Sequence, residues 1–244
     1  DLLWLALTGA HAYGFPSPDS DLDLKGVHVT PAARLLGLSE PKEAVDFLDD
    51  FRGREYDFTS NELGQTARLA LRGNGNVLER FLGPLPLVTT RAGHELRQLV
   101  EANISKRAFG HYRGFFGGMR REYDVEKRKG ERKAKRLLYA YRVALTGIHL
   151  LREREIVTDV TLLAARYDFP RVAELIAVKQ RAEKQTLEVD DRPYLEDFHR
   201  LERELQAAEE SSPLPEEPAA VEELERFVID QRLRARPSSG SSDR

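Results

Sequence analysis

Asp21 and Asp23 stand two residues apart in the stretch SDLDL, shortly after a glycine turn, TGAHAYG. Strand side chains alternate, so residues at this spacing share a face. Their carboxylates then lie roughly 6.5 to 7 Å apart along the strand. Leu22 and Leu24 fall on the other face, which the pattern predicts to be buried. Carboxylates this close repel unless a cation or solvent lies between them. Hard oxygen donors suit Mg²⁺, which takes one or two carboxylates and completes its shell with phosphate and water. Mn²⁺ accepts the same donors. A third carboxylate from a neighbouring strand would complete a cradle for two ions roughly 3.5 to 4 Å apart. REYDFTS holds two candidates on one face, Asp57 and Glu55, with Tyr56 and Phe58 opposite. Asp57 is favoured and Glu55 is the alternative. Asp19, in SPDS, reads as a turn residue.

Gly9 and Ala10 follow the first apolar run directly. A turn of small residues leaves backbone N–H groups free for phosphate oxygens. Larger side chains would block the approach. A lone Asp-x-Asp is common on solvated strands. The combination with a phosphate turn and a remote third carboxylate is what describes phosphoryl-type transfer, where catalysis is mainly positioning and charge neutralisation. His11, within the turn, is either a contact to phosphate or substrate or a plain turn residue.

Further candidates lie downstream. RGNGNVLER (residues 72–80) is a polar elbow between apolar stretches. Asn74 and Asn76 read either as helix caps or, for Asn76 and Glu79, as contacts to sugar or base. Residues 106–142 form the most basic segment, with Tyr112, Phe115, Phe116, Tyr139 and Tyr141 interleaved. Such a run is either a solvated helix face or a surface for triphosphate and a nucleic-acid backbone. Lys135, Tyr139 and Arg142 share one helix face. From there they either bind the γ-phosphate and neutralise departing pyrophosphate, or Tyr139 is core and the two cations snorkel outward. The remaining histidines show no metal spacing, and His111 is a minor substrate candidate.

The positioning elements follow from periodicity. Residues 2–7 read as a buried strand, 9–20 as loop, and 22–29 as a half-buried strand. Residues 31–38 read as a short helix or connection, and 43–48 and 55–59 as short strands. Ser60 or Asn61 is the expected N-cap of a helix through Leu63 and Leu71. A further helix spans 77–82. Beyond it, helices are expected over 92–101, 105–123, 132–152, 160–167, 171–185, 191–208 and 221–234.

The 244 residues are 41% hydrophobic and 32% charged, with a net charge of only −3, so bulk charge names no partner. The absence of cysteine excludes disulfides, thiol catalysis and zinc-thiolate sites. No apolar run approaches the roughly 18 to 20 residues of a membrane span. DLLWLALTG lacks the flanks of a signal peptide and reads as a strand. The chain does not open on Met, so a few native residues are expected before Asp1. A cytoplasmic location is the default expectation.

The string TGAHAYG…SDLDLKGV resembles the signature of the polymerase β-like nucleotidyltransferase superfamily. With ELGQTARLALRGNGNVLERFLGP downstream, it looks like the compact bacterial predicted nucleotidyltransferases. The specific match covers about residues 5 to 85. The resemblance implies Asp21, Asp23 and Asp57 as ligands of two divalent ions, and Gly9 in the turn that holds a triphosphate. Ala10 departs from the usual Ser, which removes a hydroxyl contact. Ser20, just before Asp21, is placed to restore one. The implied fold is α+β: a small mixed-sheet, palm-like nucleotidyltransferase domain (residues 1–90), then a helical domain (91–210), then a linker, short helix and disordered tail (211–244). The expected reaction is Mg²⁺-dependent transfer of NMP from an NTP to a hydroxyl, with Asp57 as candidate base. The favoured acceptor is an RNA 3′ end held by the basic helices in 106–142. The rivals are transfer to a protein partner, as in toxin-paired members, and a non-catalytic nucleotide-binding module.

Overall fold

The computed structural model describes residues 1–18, 20–38, 41–51, 53–181 and 190–236. The expected turn at Asp19 and tail beyond residue 236 lie outside them. Apolar alternation builds β1 (Leu2–Leu7), and the chain turns through α1 (Gly9–Ala12) into β2 (Leu22–His28). A short helix, α2 (Ala32–Leu35), leads to the hairpin β3 (Ala44–Phe51) and β4 (Arg54–Glu62). Two helices follow, α3 (Leu63–Leu71) and α4 (Gly75–Leu82), and then β5 (Pro86–Thr89). The five strands form one mixed sheet in the order β3-β4-β2-β1-β5. Among the described residues, only β2 and β4 run parallel. The architecture is α+β, as the resemblance implies.

Four local expectations change. The start of the 9–20 loop is helical, because Tyr13 N–H closes a turn on the Gly9 carbonyl at 3.0 Å. Ser60 and Asn61 belong to β4, and Glu62 caps α3 by accepting from Gly64 N–H at 2.6 Å. A short strand not expected from sequence follows α4, which ends at Leu82. Pro86 opens an edge strand, where a missing N–H breaks no ladder bond. Leu22 and Leu24 are only half-buried, on the sheet face that also shows exposed Val45 and Phe47.

The opposite face is the covered one. Trp4, Ala6 and Val27 are buried there. The Trp4 indole N–H donates to the Arg80 carbonyl at 2.9 Å, and Arg80 Nη1 donates to the Gly26 carbonyl at 2.7 Å, which bolts α4 to the sheet. Fully buried side chains in this layer, such as Leu63, Leu78 and Phe81, each contribute about 1.5–3 kcal/mol.

Beyond β5 the described residues form helices joined by short connections: α5 (Arg91–Ala102), α6 (Ala108–Lys129), α7 (Ala134–Glu153), α8 (Val160–Arg166), α9 (Arg171–Arg181), α10 (Arg192–Glu210) and α11 (Val221–Arg234). α6 runs past Tyr123 to Gly130, whose φ of 73° suits a left-handed helix end. α7 is the central strut, buried at every residue from Ala140 to Leu151. α11 returns to pack on α3 and α5, tied by Arg232 to Glu62 at 2.6 Å. Among the described residues, no helix is long and apolar enough to cross a membrane.

Candidate active site

The parallel register sets Asp23 directly beside Asp57. Neighbouring strands run about 4.8 Å apart, so the two carboxylates share one face near the start of β2. Asp21 precedes β2 and is exposed. Glu55 is also exposed and pairs with Asp50, beyond the start of β2. Lys25 stands on the same strand face as Asp23. Its Nζ reaches Asp57 Oδ2 at 2.9 Å and Thr59 Oγ1 at 3.1 Å. Sequence reading passed over Lys25, although its alternation with Asp21 and Asp23 was visible.

Burial pushes the Asp23 carboxyl above its ordinary pKa. Lys25 opposes that rise, Asp57 and Asp21 add to it, and Lys135 opposes it. One carboxyl thus senses both other candidate carboxylates and cations from β2 and α7.

The glycine turn is built around Asp23. Thr8 N–H donates to the Asp23 carbonyl at 2.8 Å, and Thr8 Oγ1 donates to it at 3.2 Å. Gly9 has φ of 65°, and a methyl group on it would fall inside the Asp23 carboxylate. Only glycine meets both conditions. Gly9→Ala is therefore expected to displace the carboxylate and cut turnover about 10²-fold, with a smaller loss of melting temperature. Steady-state rates beside thermal melts check this.

The helical half clamps the loop. Val160 N–H donates to the Tyr13 carbonyl at 3.0 Å, and Thr158 Oγ1 donates to the Ala12 carbonyl at 2.7 Å. Ser20 N–H donates to the Ser17 carbonyl at 3.0 Å, and the two hydroxyls lie 2.8 Å apart. Lys179 on α9 donates to Ser17 Oγ at 2.7 Å. The Ser20 hydroxyl is thus buried in a loop clasp, which corrects its reading as a phosphate contact. Ala10 is buried too, and the Nε2 atom of His11 is buried without a hydrogen-bond partner.

A cavity of about 450 Å³ lies between this loop and α6 and α7, lined by Tyr13, Asn76, Phe115, Lys135, Tyr139 and Arg142 among others. The candidates Asn76, Lys135, Tyr139 and Arg142 therefore converge. Asn74, not Asn76, caps α4, accepting from Val77 N–H at 3.2 Å. Tyr139 stacks edge-on against Tyr13 and Phe15 at 5.9 and 5.5 Å. His111 stacks on Phe115 at 4.4 Å, and burial with Arg142 nearby pulls its pKa down to about 4.

Arg142 is not a free cation. Its Nη1 donates to both oxygens of Glu79 at 2.7 Å, and its guanidinium lies 4.0 Å over the Tyr13 ring. This replaces the γ-phosphate reading of Arg142, and the sugar or base reading of Glu79, with a buried support. The basic segment is also partly spent internally. Lys106 pairs with Glu216, Arg107 with Glu217, Arg120 with Glu202, Lys127 with Asp191, and Arg136 with Glu122 and Glu126. Arg113, Arg121, Arg128, Lys129 and Lys133 make no ion pair among the described residues.

The donor chemistry fits a hard divalent cation, because Asp21, Asp23 and Asp57 offer only carboxylate oxygens around one strand edge. Among the described residues, no three such groups are already drawn together into a cage, and Lys25 holds Asp57 to one side. A cation that takes one or two carboxylates and fills its shell from phosphate and water matches this open arrangement.

A family model described as the RNA repair pathway DNA polymerase beta family matches residues 1–230. The chain is 26% identical to an uncharacterized protein of Methanocaldococcus jannaschii over 157 residues, covering 64% of this chain and 63% of that protein. It thus spans less than two thirds of that relative's length. A crystal structure of a nucleotidyltransferase-like protein from Exiguobacterium sibiricum 255-15 is similar at 12% identity. Its TM-score is 0.31, with 97% of this chain and 76% of that chain covered.

Proposed function

Because the chain belongs to the RNA repair pathway DNA polymerase beta family, a polymerase β-like nucleotidyltransferase group, we propose that it transfers NMP from an NTP to the 3′-hydroxyl of an RNA strand. The observation that carries the reading is the register of Asp23 beside Asp57, with the Asp23 carboxylate packed on Gly9. Asp21, Asp23 and Asp57 would hold one or two Mg²⁺ ions. When bound, these supply charge neutralisation for the triphosphate and the departing oxygens.

The chain's own residues do the rest. The acceptor oxygen bonds to the α-phosphorus, and the bond from that phosphorus to the bridging oxygen breaks, releasing pyrophosphate. The hydroxyl proton passes to the Asp57 carboxylate, which Lys25 holds in place at 2.9 Å. Lys135 takes up charge on the departing pyrophosphate. Tyr13, Tyr139 and Phe115 offer ring surface for the nucleoside. Arg113, Arg121, Arg128, Lys129 and Lys133 are available to an RNA backbone.

The test supplies each labelled NTP with Mg²⁺ or Mn²⁺ and separate RNA, DNA and protein acceptors. Label on RNA that vanishes in Asp21→Ala is the expected outcome. Label on protein alone, or binding of NTP without transfer, refutes the RNA reading.

A further inference from the structure

A second cationic pocket lies at the opposite end of β2. It encloses about 420 Å³ and is lined by His28, Thr30, Arg34, Lys42, Val45 and Arg236, among others. Arg34, Lys42 and Arg236 make no ion pair among the described residues. Among the described residues, Asp1 is the one acidic residue in the lining. The three cations come from α2, the approach to β3 and the segment after α11, so distant parts of the chain converge on this pocket. Each is exposed, with its head group open to a ligand.

Its position limits what that ligand is. His28 lies five residues beyond Asp23 on one strand, about 16 Å at 3.3 Å per residue. An odd separation also puts the two on opposite faces. An NTP held at Asp23 does not pass through the sheet to this pocket. A single ligand that reaches both sites is a polymer that wraps the sheet edge, and the pocket's charge requires that polymer to be anionic. Three long, untied cations suit a phosphate backbone, which is gripped by charge rather than by fixed geometry.

We propose that His28, Arg34, Lys42 and Arg236 form a second phosphate-binding site that holds the backbone of an RNA strand remote from its reacting end. The identity of the polymer rests on the function proposed above, but the site is read by binding and not by turnover. The experiment measures fluorescence anisotropy of a labelled single-stranded RNA with the full chain across a salt series. The comparison is the triple variant Arg34→Gln, Lys42→Gln, Arg236→Gln, with Lys42→Glu as a second, single variant. All three positions are exposed, so melting temperatures should match wild type. The expected result is a roughly tenfold loss of RNA affinity at low salt. The salt slope should fall by about 2, at roughly 0.7 for each of three lost phosphate contacts.

Transfer to a dinucleotide acceptor, too short to reach the pocket, should be unchanged. Unaltered RNA affinity and slope in both variants would overturn the site. Retained RNA binding with loss of inorganic tripolyphosphate binding would mark a small-anion pocket and overturn the strand assignment. A wild-type chain that transfers nothing to RNA, yet loses RNA affinity in the variants, refutes the proposed reaction and supports this site.

Discussion

Asp23→Asn is expected to reduce nucleotidyl transfer about 10³-fold while leaving the protein at least as stable as wild type at neutral pH. The variant keeps the side chain's size and its fit against Gly9, so the loop should hold its shape. What it removes is charge. Burial raises the Asp23 pKa, and Asp57 and Asp21 add to the rise against Lys25 and Lys135. A carboxyl with a raised folded-state pKa holds its proton more tightly when folded than when unfolded. Between its unfolded value of about 3.9 and the higher folded value, stability falls as pH rises. Above the folded value the whole penalty is in place. Wild-type melting temperature in EDTA should therefore drop across that window, and Asp23→Asn should lack this component. Turnover has the opposite sign, because only the ionised carboxylate serves the reaction, so it should rise with pH over the same range. Melts in EDTA and rates with Mg²⁺, both across pH, check the pair. A variant that keeps activity, or that melts well below wild type at neutral pH, would contradict the assignment.

The carboxylate edge was legible because it depends on local rules. Alternation puts Asp21, Asp23 and Lys25 on one face, and two short apolar strands are enough to suggest neighbours for them. Pairing β2 with β4 in parallel was not legible, since the register depends on the α2 and β3 excursion between them. The clasp at Ser17 and Ser20 is closed by Lys179 from 162 residues away, and no local pattern announces that partner. β5 was hidden because it is only four residues long and opens on a proline, which an edge strand tolerates at its first position. The C-terminal helix looked like an appendage in sequence, yet Arg232 returns to Glu62 at the end of β4.

Arg142 shows the same limit most clearly, and it carries the other large expected effect. At the helix-face level it aligns with Lys135 and Tyr139 and resembles a phosphate ligand. Its surroundings decide otherwise, because α7 is buried all round at that point. Burial opposes charge on Arg142, but the Glu79 carboxylate outweighs it and holds the guanidinium protonated. Tyr112 donates a further bond to Glu79 at 3.2 Å. Glu79→Ala would leave this cation buried and without its counter-charge, at a cost of about 3–5 kcal/mol. For a chain of this size that is a melting-temperature drop of roughly 10 °C. Arg142→Met in the same chain should recover part of the loss, because removing both charges avoids the uncompensated ion. Transfer should not recover with it. Tyr13 would lose the guanidinium 4.0 Å from its ring, and Tyr13 carries the loop that ends at Asp21 and Asp23. Calorimetry and rates on the two single variants and the double variant separate these effects as a cycle. Full recovery of rate in the double variant would show that the pair serves stability alone, while a stable but slow enzyme would establish it as the link through which α4 and α7 set the active loop.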